Sequence, residues 1–111
     1  MTRLRLAAGA VALLLAVGAG VAVRAADPGQ VTIKTFAYGP KEITVPVGTT
    51  VTWINKDPEP HTVVSKDGKF RSAALDTDDS YSFTFTEPGT YDFFCTLHPQ
   101  MTGKVTVVPK G

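Results

Sequence analysis

The sequence has few of the residues that carry reactive or metal-binding side chains. Its 111 residues include one cysteine, two histidines and, after the initiator, a single methionine. Catalysis at several metal ions needs additional pairs of histidines, so the histidine count alone excludes that class of enzyme. A site built from the residues present must be small and must use most of them.

Positive charge is scarce outside the N-terminus. Three of the 11 basic residues lie within the first 24 positions, and the rest of the chain carries 8 basic against 10 acidic residues. No basic stripe is available to neutralise phosphates, which argues against nucleic acid as a partner.

Long apolar runs are confined to residues 6–23, which follow a short basic stretch. With the small-residue pattern Val23-Arg24-Ala25 behind it, this run predicts a secretory signal peptide over residues 1–25, cleaved after Ala25. An uncleaved membrane anchor is the alternative, because 18 residues is close to the minimum for a spanning helix. Arg3 and Arg5 are not adjacent, so a twin-arginine signal is not indicated. We predict export to the periplasm and one domain over residues 26–111.

Cys95 is unpaired in a chain predicted to enter a compartment where thiols usually form disulfides. Three explanations are open: a buried and inert thiol, a disulfide with another chain, or a thiolate held by a metal ion. The neighbouring residues decide between them.

From Asp27 onward the apolar residues recur with a period of two, and Val, Ile, Thr, Phe and Tyr dominate the periodic segments. Many short strands at even spacing, separated by turn residues, predict an all-β fold: an antiparallel sandwich of two sheets with about seven to eight strands. The predicted strands are residues 31–37, 42–47, 50–55, 61–65, 80–86, 90–95 and 104–108. Only residues 71–76 are open to a helical interpretation.

The same alternation predicts which side chains face inward. The expected core rows are Val51/Trp53, Tyr81/Phe83/Phe85, Tyr91/Phe93 and Val105/Val107. Cys95 continues one of these rows, so it should leave the buried face at the end of a strand. A thiolate there would be shielded from solvent and would lie next to a loop.

The loop after that strand reads Cys-Thr-Leu-His-Pro-Gln-Met and places Cys95, His98 and Met101 at C-x-x-H-x-x-M spacing. The other histidine, His61, follows the rigid segment Asp-Pro-Glu-Pro. Thiolate, two imidazoles and a weakly held thioether are the ligands of blue-copper electron-transfer sites. A structural zinc site would more often use further thiolates. Each residue alone has an ordinary role in packing or at the surface, but the joint pattern predicts one copper ion.

Four segments, residues 47–55, 60–63, 83–91 and 95–103, resemble the cupredoxins, and among them the small periplasmic group of amicyanin, plastocyanin and pseudoazurin. The short ligand loop is the most specific of the four and is most similar to that of amicyanins. The resemblance implies a Greek-key β-sandwich with type 1 copper at one end. It also implies ligation by His61, Cys95 and His98 in a plane, with Met101 as the axial ligand.

The resemblance further implies that the exposed ring edge of His98 is the docking point for redox partners. Leu97 and Pro99, with Pro58 and Pro60, are the expected apolar surroundings.

Two residues of the chain depart from the amicyanin pattern. Thr62 stands where Asn is usual, which leaves open a side-chain link to Thr96, although its backbone N–H can still reach the Cys95 sulfur. Leu97 stands where proline is common and supplies an N–H that could also point at the sulfur. Hydrogen bonds to the thiolate change the reduction potential of such a site.

Four functions compete at this stage. The first is a monomeric periplasmic electron shuttle between a dehydrogenase donor and a cytochrome c or oxidase acceptor. The second is a periplasmic copper carrier or storage protein, which the shortage of methionine and histidine disfavours. An enzyme is disfavoured because four donors at one closed site leave no position for substrate. The fourth is a β-sandwich that binds other proteins and holds no metal. In that case the spacing of Cys95, His98 and Met101 would be a coincidence.

Overall fold

The computed structural model describes residues 29–110. Within that range the chain forms eight β-strands, and none of these residues lies in a helix. Numbered in chain order, the strands are β1 Gln30–Lys34, β2 Ala37–Gly39, β3 Glu42–Pro46, β4 Thr50–Asn55, β5 Val64–Ser65, β6 Ser80–Thr84, β7 Gly89–Phe94 and β8 Thr102–Val108.

The strands form two four-stranded sheets, with the orders β2-β1-β4-β6 and β3-β8-β7-β5. The all-β sandwich of two sheets is therefore confirmed. Each sheet nevertheless contains one parallel pair, β1 with β4 and β3 with β8, among antiparallel neighbours. After β2 the chain crosses to the other sheet and forms β3, and after β3 it crosses back and forms β4. Because of these crossovers β4 runs in the same direction as β1 and pairs with it in parallel.

The core lies between the sheets, as the alternation predicted. Val51, Trp53, Phe93 and Cys95 are fully buried, and Phe85, Val105 and Val107 of the predicted rows are buried with them. The aromatic residues at the margin are only half-buried and pack against this core: Tyr81, Phe83 and Tyr91.

The first predicted strand is in fact two strands joined by a tight turn at Thr35 and Phe36. Both residues have positive φ, 54° and 57°, which few non-glycine residues adopt. β1 and β2 then pair as a hairpin with Lys34 opposite Ala37. Because neither turn residue is Gly, Asn or Asp, the sequence carried no signal for this turn.

The predicted strand over residues 61–65 is also shorter than expected. Regular pairing covers only β5, while His61 forms an isolated bridge with Leu75. Thr62 donates its N–H to Cys95 Sγ and Val63 donates its N–H to Ser72 Oγ, so regular pairing with β7 begins only at Val64. Residues 71–76 contain isolated bridges instead of helix.

The N-terminal predictions cannot be compared with the fold. The predicted signal peptide and its cleavage site after Ala25 lie outside the described residues. Between residues 29 and 110, no helix has the length and apolar character needed to cross a membrane.

Candidate metal centre

The loop of residues 95–101 connects two neighbouring strands at one end of the second sheet. Strand β7 ends one residue before Cys95, and β8 begins one residue after Met101. The loop is closed by backbone hydrogen bonds: Cys95 N–H donates to the Met101 carbonyl at 3.1 Å, and Met101 N–H donates to the His98 carbonyl at 2.9 Å. The antiparallel pairing of β7 and β8 therefore determines the path of this loop.

His61 reaches the same end of the sandwich from the segment between β4 and β5. Its backbone is held by two hydrogen bonds to Leu75, His61 N–H to the Leu75 carbonyl at 3.1 Å and Leu75 N–H to the His61 carbonyl at 2.7 Å. The side chain is fully buried. The isolated bridge thus fixes the backbone of a histidine that no regular strand contains.

Three of the four predicted ligands come together in space. One donor atom each from His61, Cys95 and His98 lies within 4.8 Å of the others. The Cys95 Sγ atom is 3.8 Å from Nδ1 of each imidazole. A metal bonded to sulfur at about 2.3 Å and to nitrogen at about 2.0 Å, at trigonal angles, would separate those atoms by about 3.7 Å. The side chains present therefore fit a metal ion bound by all three.

The fourth predicted ligand, Met101, is buried with the core and closes the loop through its backbone. His98 is only half-buried, whereas His61 and Cys95 are buried. The candidate centre thus lies at the end of the sandwich, with one imidazole near solvent and the Cys95 and Met101 side chains shielded.

Asp57 orients His61. One carboxylate oxygen of Asp57 lies 2.8 Å from Nε2 of His61, and this interaction is buried. With Nε2–H donated to the carboxylate, Nδ1 carries the free lone pair, and Nδ1 is the atom that faces Cys95 Sγ. Asp57 was not predicted as a site residue from the sequence, although a carboxylate four residues before a candidate histidine ligand is a signal for such a role.

The same carboxylate also holds the β1–β2 turn. Its two oxygens accept the backbone N–H groups of Thr35 at 2.6 Å and Phe36 at 2.8 Å. Burial raises the pKa of Asp57, but the hydrogen bonds from Phe36 and Thr35 and the interaction with His61 outweigh that effect. The net result is a pKa below the usual range of a carboxyl group, so Asp57 is ionised at neutral pH.

We expect Asp57→Asn to lower the free energy of unfolding of the metal-free protein by about 2 kcal/mol. The amide has one acceptor oxygen instead of two, and its NH₂ group would face N–H donors. Urea unfolding followed by Trp53 fluorescence measures the loss. The matched control is Asp78→Asn, which breaks an exposed pair with Lys56 and should cost less than about 1 kcal/mol. Equal losses in both variants would contradict a special role for the Asp57 hydrogen bonds.

Thr62 connects the two ligand segments. Its backbone N–H donates to Cys95 Sγ at 3.4 Å. Its Oγ1 accepts the backbone N–H of Thr96 at 2.8 Å and lies 2.9 Å from the Thr96 hydroxyl. Threonine therefore makes the link that the sequence analysis left open. Within residues 29–110, the backbone donor to the sulfur is Thr62, and Leu97 makes no such bond.

Tyr38 supports this segment from the other side. Its hydroxyl donates to the Thr62 carbonyl at 2.6 Å, and its ring packs edge-on against Phe93 at 4.8 Å between centroids. Burial raises the pKa of Tyr38, and the nearby Cys95 raises it further, so the hydroxyl keeps its proton as a hydrogen-bond donor. Thr62 is thus held at both its amide and its carbonyl.

Phe36 is a second residue near the site that the sequence analysis missed. Its ring centroid lies 5.2 Å from that of His61 and 4.9 Å from that of His98, in edge-on geometry in both cases. Its side chain is 41% exposed. No local sequence signal places it there, because its position depends on the turn that Asp57 holds.

Comparison with known proteins identifies the class to which this fold and site belong. The family model of the cupredoxin-like domain matches residues 5–107, so the chain belongs to the cupredoxin-like family. Within that family it is similar to the amicyanins. Amicyanin of Paracoccus denitrificans is 48% identical over 82 residues, which cover 69% of this chain and 63% of the relative. Amicyanin-alpha of Methylorubrum extorquens is 38% identical over 109 residues, 92% of each chain.

Solved structures agree with the sequence comparison. The Cu(I) form of an amicyanin variant matches with a TM-score of 0.68 and 43% identity, covering 75% of this chain and 85% of that one. This chain spans slightly less than two thirds of the length of the Paracoccus amicyanins that it matches. The ligand types at the site and the copper form of the similar structure identify copper as the cofactor.

Proposed function

We propose that His61, Cys95, His98 and Met101 bind one type 1 copper ion, with Met101 axial, and that the protein carries single electrons between redox partners. The observation that carries this proposal is the equal 3.8 Å separation of Cys95 Sγ from Nδ1 of the two histidines. Bound copper supplies a one-electron couple, Cu(II)/Cu(I), at potentials that the protein tunes.

The surroundings of the site favour electron transfer over substrate chemistry. A carrier works best when its ligands keep the same positions in both oxidation states. Here neighbouring residues hold each proposed ligand: Asp57 holds His61, the Thr62 amide holds the sulfur, and the loop is held by its own backbone hydrogen bonds. Thiolate and thioether suit Cu(I), whereas imidazole and thiolate also hold Cu(II), so one fixed geometry serves both states.

His98 is the proposed point at which electrons enter or leave. It is the half-buried ligand, and the proposed apolar rim consists of Phe36, which lies edge-on against its ring, and of its chain neighbours Leu97 and Pro99. Leu97 is 49% exposed and Phe36 is 41% exposed, an unusual clustering of large apolar side chains at the surface. This rim supports docking of redox proteins near His98, with a dehydrogenase as donor and a cytochrome c or an oxidase as acceptor.

The proposed location is the periplasm. Residues 1–25 carry the signal-peptide pattern, which leaves residues 26–111 as the working domain. We propose a monomer, because Cys95 is buried and committed to the metal and so is not available for a disulfide with another chain.

A copper carrier is the competing function, because the same four ligands would serve it. A carrier must release its metal readily, whereas these ligands are fixed by hydrogen bonds from residues around them. An enzyme is disfavoured, because four protein ligands leave no open position at which a substrate could bind.

The test is a visible spectrum of the purified protein with one equivalent of Cu(II), followed by repeated reduction with ascorbate and reoxidation. We expect an intense band that bleaches and returns with the copper retained, and rapid electron exchange with a cytochrome c probe in stopped flow. Colourless copper binding, or loss of copper at each reduction, would instead support the carrier.

A further inference from the structure

The two imidazoles at the centre differ in how their orientations are fixed. His61 is fully buried, and its Nε2 is bound to Asp57. His98 is half-buried, lies in a short loop, and has no hydrogen-bond partner for Nε2 among residues 29–110. If His98 is to stay in place, something other than a hydrogen bond must limit the rotation of its ring.

Phe36 is positioned to do this. The rings of Phe36, His61 and His98 form a triangle with centroid separations of 5.2, 4.9 and 4.9 Å, and the Phe36 ring stands nearly perpendicular to both imidazoles. Edge-on contacts at these distances are attractive, and each contributes about 0.5–1.5 kcal/mol. The Phe36 ring therefore lies directly against the His98 ring and restricts its movement on that side.

The backbone of Phe36 is itself held in an unfavourable conformation. A positive φ of 57° for a residue with a Cβ atom costs about 1–2 kcal/mol, and Thr35 beside it has the same handedness. Such a conformation persists only when the surroundings enforce it. Here the enforcing group is Asp57, which binds the backbone N–H of both turn residues and Nε2 of His61.

We propose that Phe36 is a positioning residue of the copper centre, holding the His98 imidazole against Cys95 and slowing the release of copper. One carboxylate, Asp57, then fixes both histidines: His61 by a direct hydrogen bond, and His98 through the turn that carries Phe36. This inference rests on the proposed copper ligation, but it does not depend on any redox partner.

The test is the rate at which the copper-loaded protein transfers Cu(I) to bicinchoninic acid, compared across Phe36→Ala, Phe36→Leu, Phe36→Tyr and wild type. Loss of the ring contacts should speed release by roughly fivefold in Phe36→Ala. The release rate of Phe36→Leu should lie between those of Phe36→Ala and the wild type. Phe36→Tyr should release copper at the wild-type rate because it keeps the ring. Val108→Ala, at another exposed apolar residue, is the matched control and should release copper at the wild-type rate.

The Tm of each metal-free variant separates positioning from general stability. The inference is supported if copper release is fastest in Phe36→Ala, slower in Phe36→Leu and slowest in Phe36→Tyr, while the Tm values of the metal-free variants do not follow this order. It is overturned if Phe36→Ala releases copper at the wild-type rate, or if release simply follows the metal-free Tm across the series. A wild-type protein that binds copper but exchanges no electrons would overturn the proposed function and leave this ranking intact.

Discussion

Replacement of Cys95 by serine is expected to abolish the intense visible band of the copper-loaded protein and to weaken Cu(I) binding by at least about 100-fold. The band and the affinity both depend on a thiolate, which is soft, anionic and strongly electron-donating, whereas a serine hydroxyl is hard and neutral. The visible spectrum and a competition titration with a Cu(I) chelator measure the two effects.

Folding must be separated from ligation in this experiment. Serine is smaller than cysteine, and the site is fully buried, so the metal-free Cys95→Ser protein should lose only about 1 kcal/mol of stability. Met101→Leu is the matched control: it preserves packing volume, removes the proposed axial donor and should keep the visible band. A band that survives Cys95→Ser would contradict thiolate ligation.

The candidate ligands could be predicted from the sequence because most of the information about them is local. Cys95, His98 and Met101 lie within seven residues, and the alternation of strand β7 shows that the cysteine leaves the buried face at the strand end. Only His61 had to be brought from elsewhere, and it was the sole remaining histidine. Spacing and elimination therefore predicted the meeting of His61, Cys95 and His98, whereas ligation by Met101 stays a prediction.

The residues that hold those ligands were not accessible in the same way. Asp57 and Phe36 act through a turn whose two residues have positive φ, and nothing in a Thr-Phe pair predicts such a turn. Their contacts join positions more than 20 residues apart. The alternation of apolar residues predicts on which face of a strand a side chain lies. It does not predict which distant segment of the chain packs against that face.

The same limit applies to the sheets. Alternation correctly predicted which side chains of the strands face the core, although Tyr81, Phe83 and Tyr91 are only half-buried there. It could not predict that β1 pairs with β4 and β3 with β8 in parallel, since strand direction follows from the crossovers between sheets. For the site, the pairing of β5 with β7 matters most, because Val64 lies opposite Phe94 and the segment before β5 is thereby brought to the end of β7.

We expect Gly103→Ala to lower the free energy of unfolding by about 3 kcal/mol and the Tm by more than about 10 °C. A Cβ atom at this position would lie 2.3 Å from Cζ of Phe93 and 2.8 Å from the backbone oxygen of Lys41. Neither can retreat: the Phe93 ring is fully buried against Trp53, and the Lys41 carbonyl accepts the Lys104 N–H at 2.9 Å. Thermal unfolding of the metal-free protein measures the effect.

Two comparisons isolate the steric origin of this loss. Gly68→Ala places a Cβ where nothing lies within 4 Å, at a φ of +80°, and should cost only about 1 kcal/mol of backbone strain. In a double-mutant cycle, Phe93→Leu removes the ring edge that the new methyl meets. The cost of Gly103→Ala should therefore be smaller in the Leu background than in the wild type. If the two costs are equal, the Phe93 contact is not the source of the instability.

The consequences of this clash should extend to the metal centre. Gly103 is two residues after Met101, Phe93 is two residues before Cys95, and the two are paired across β7 and β8. The strands that crowd each other in Gly103→Ala are thus the ones that anchor both ends of the ligand loop. We expect the surviving folded protein to show a shifted visible band and faster copper release. An unchanged spectrum would mean that the hydrogen bonds within the loop fix the ligand geometry without help from the pairing beneath it.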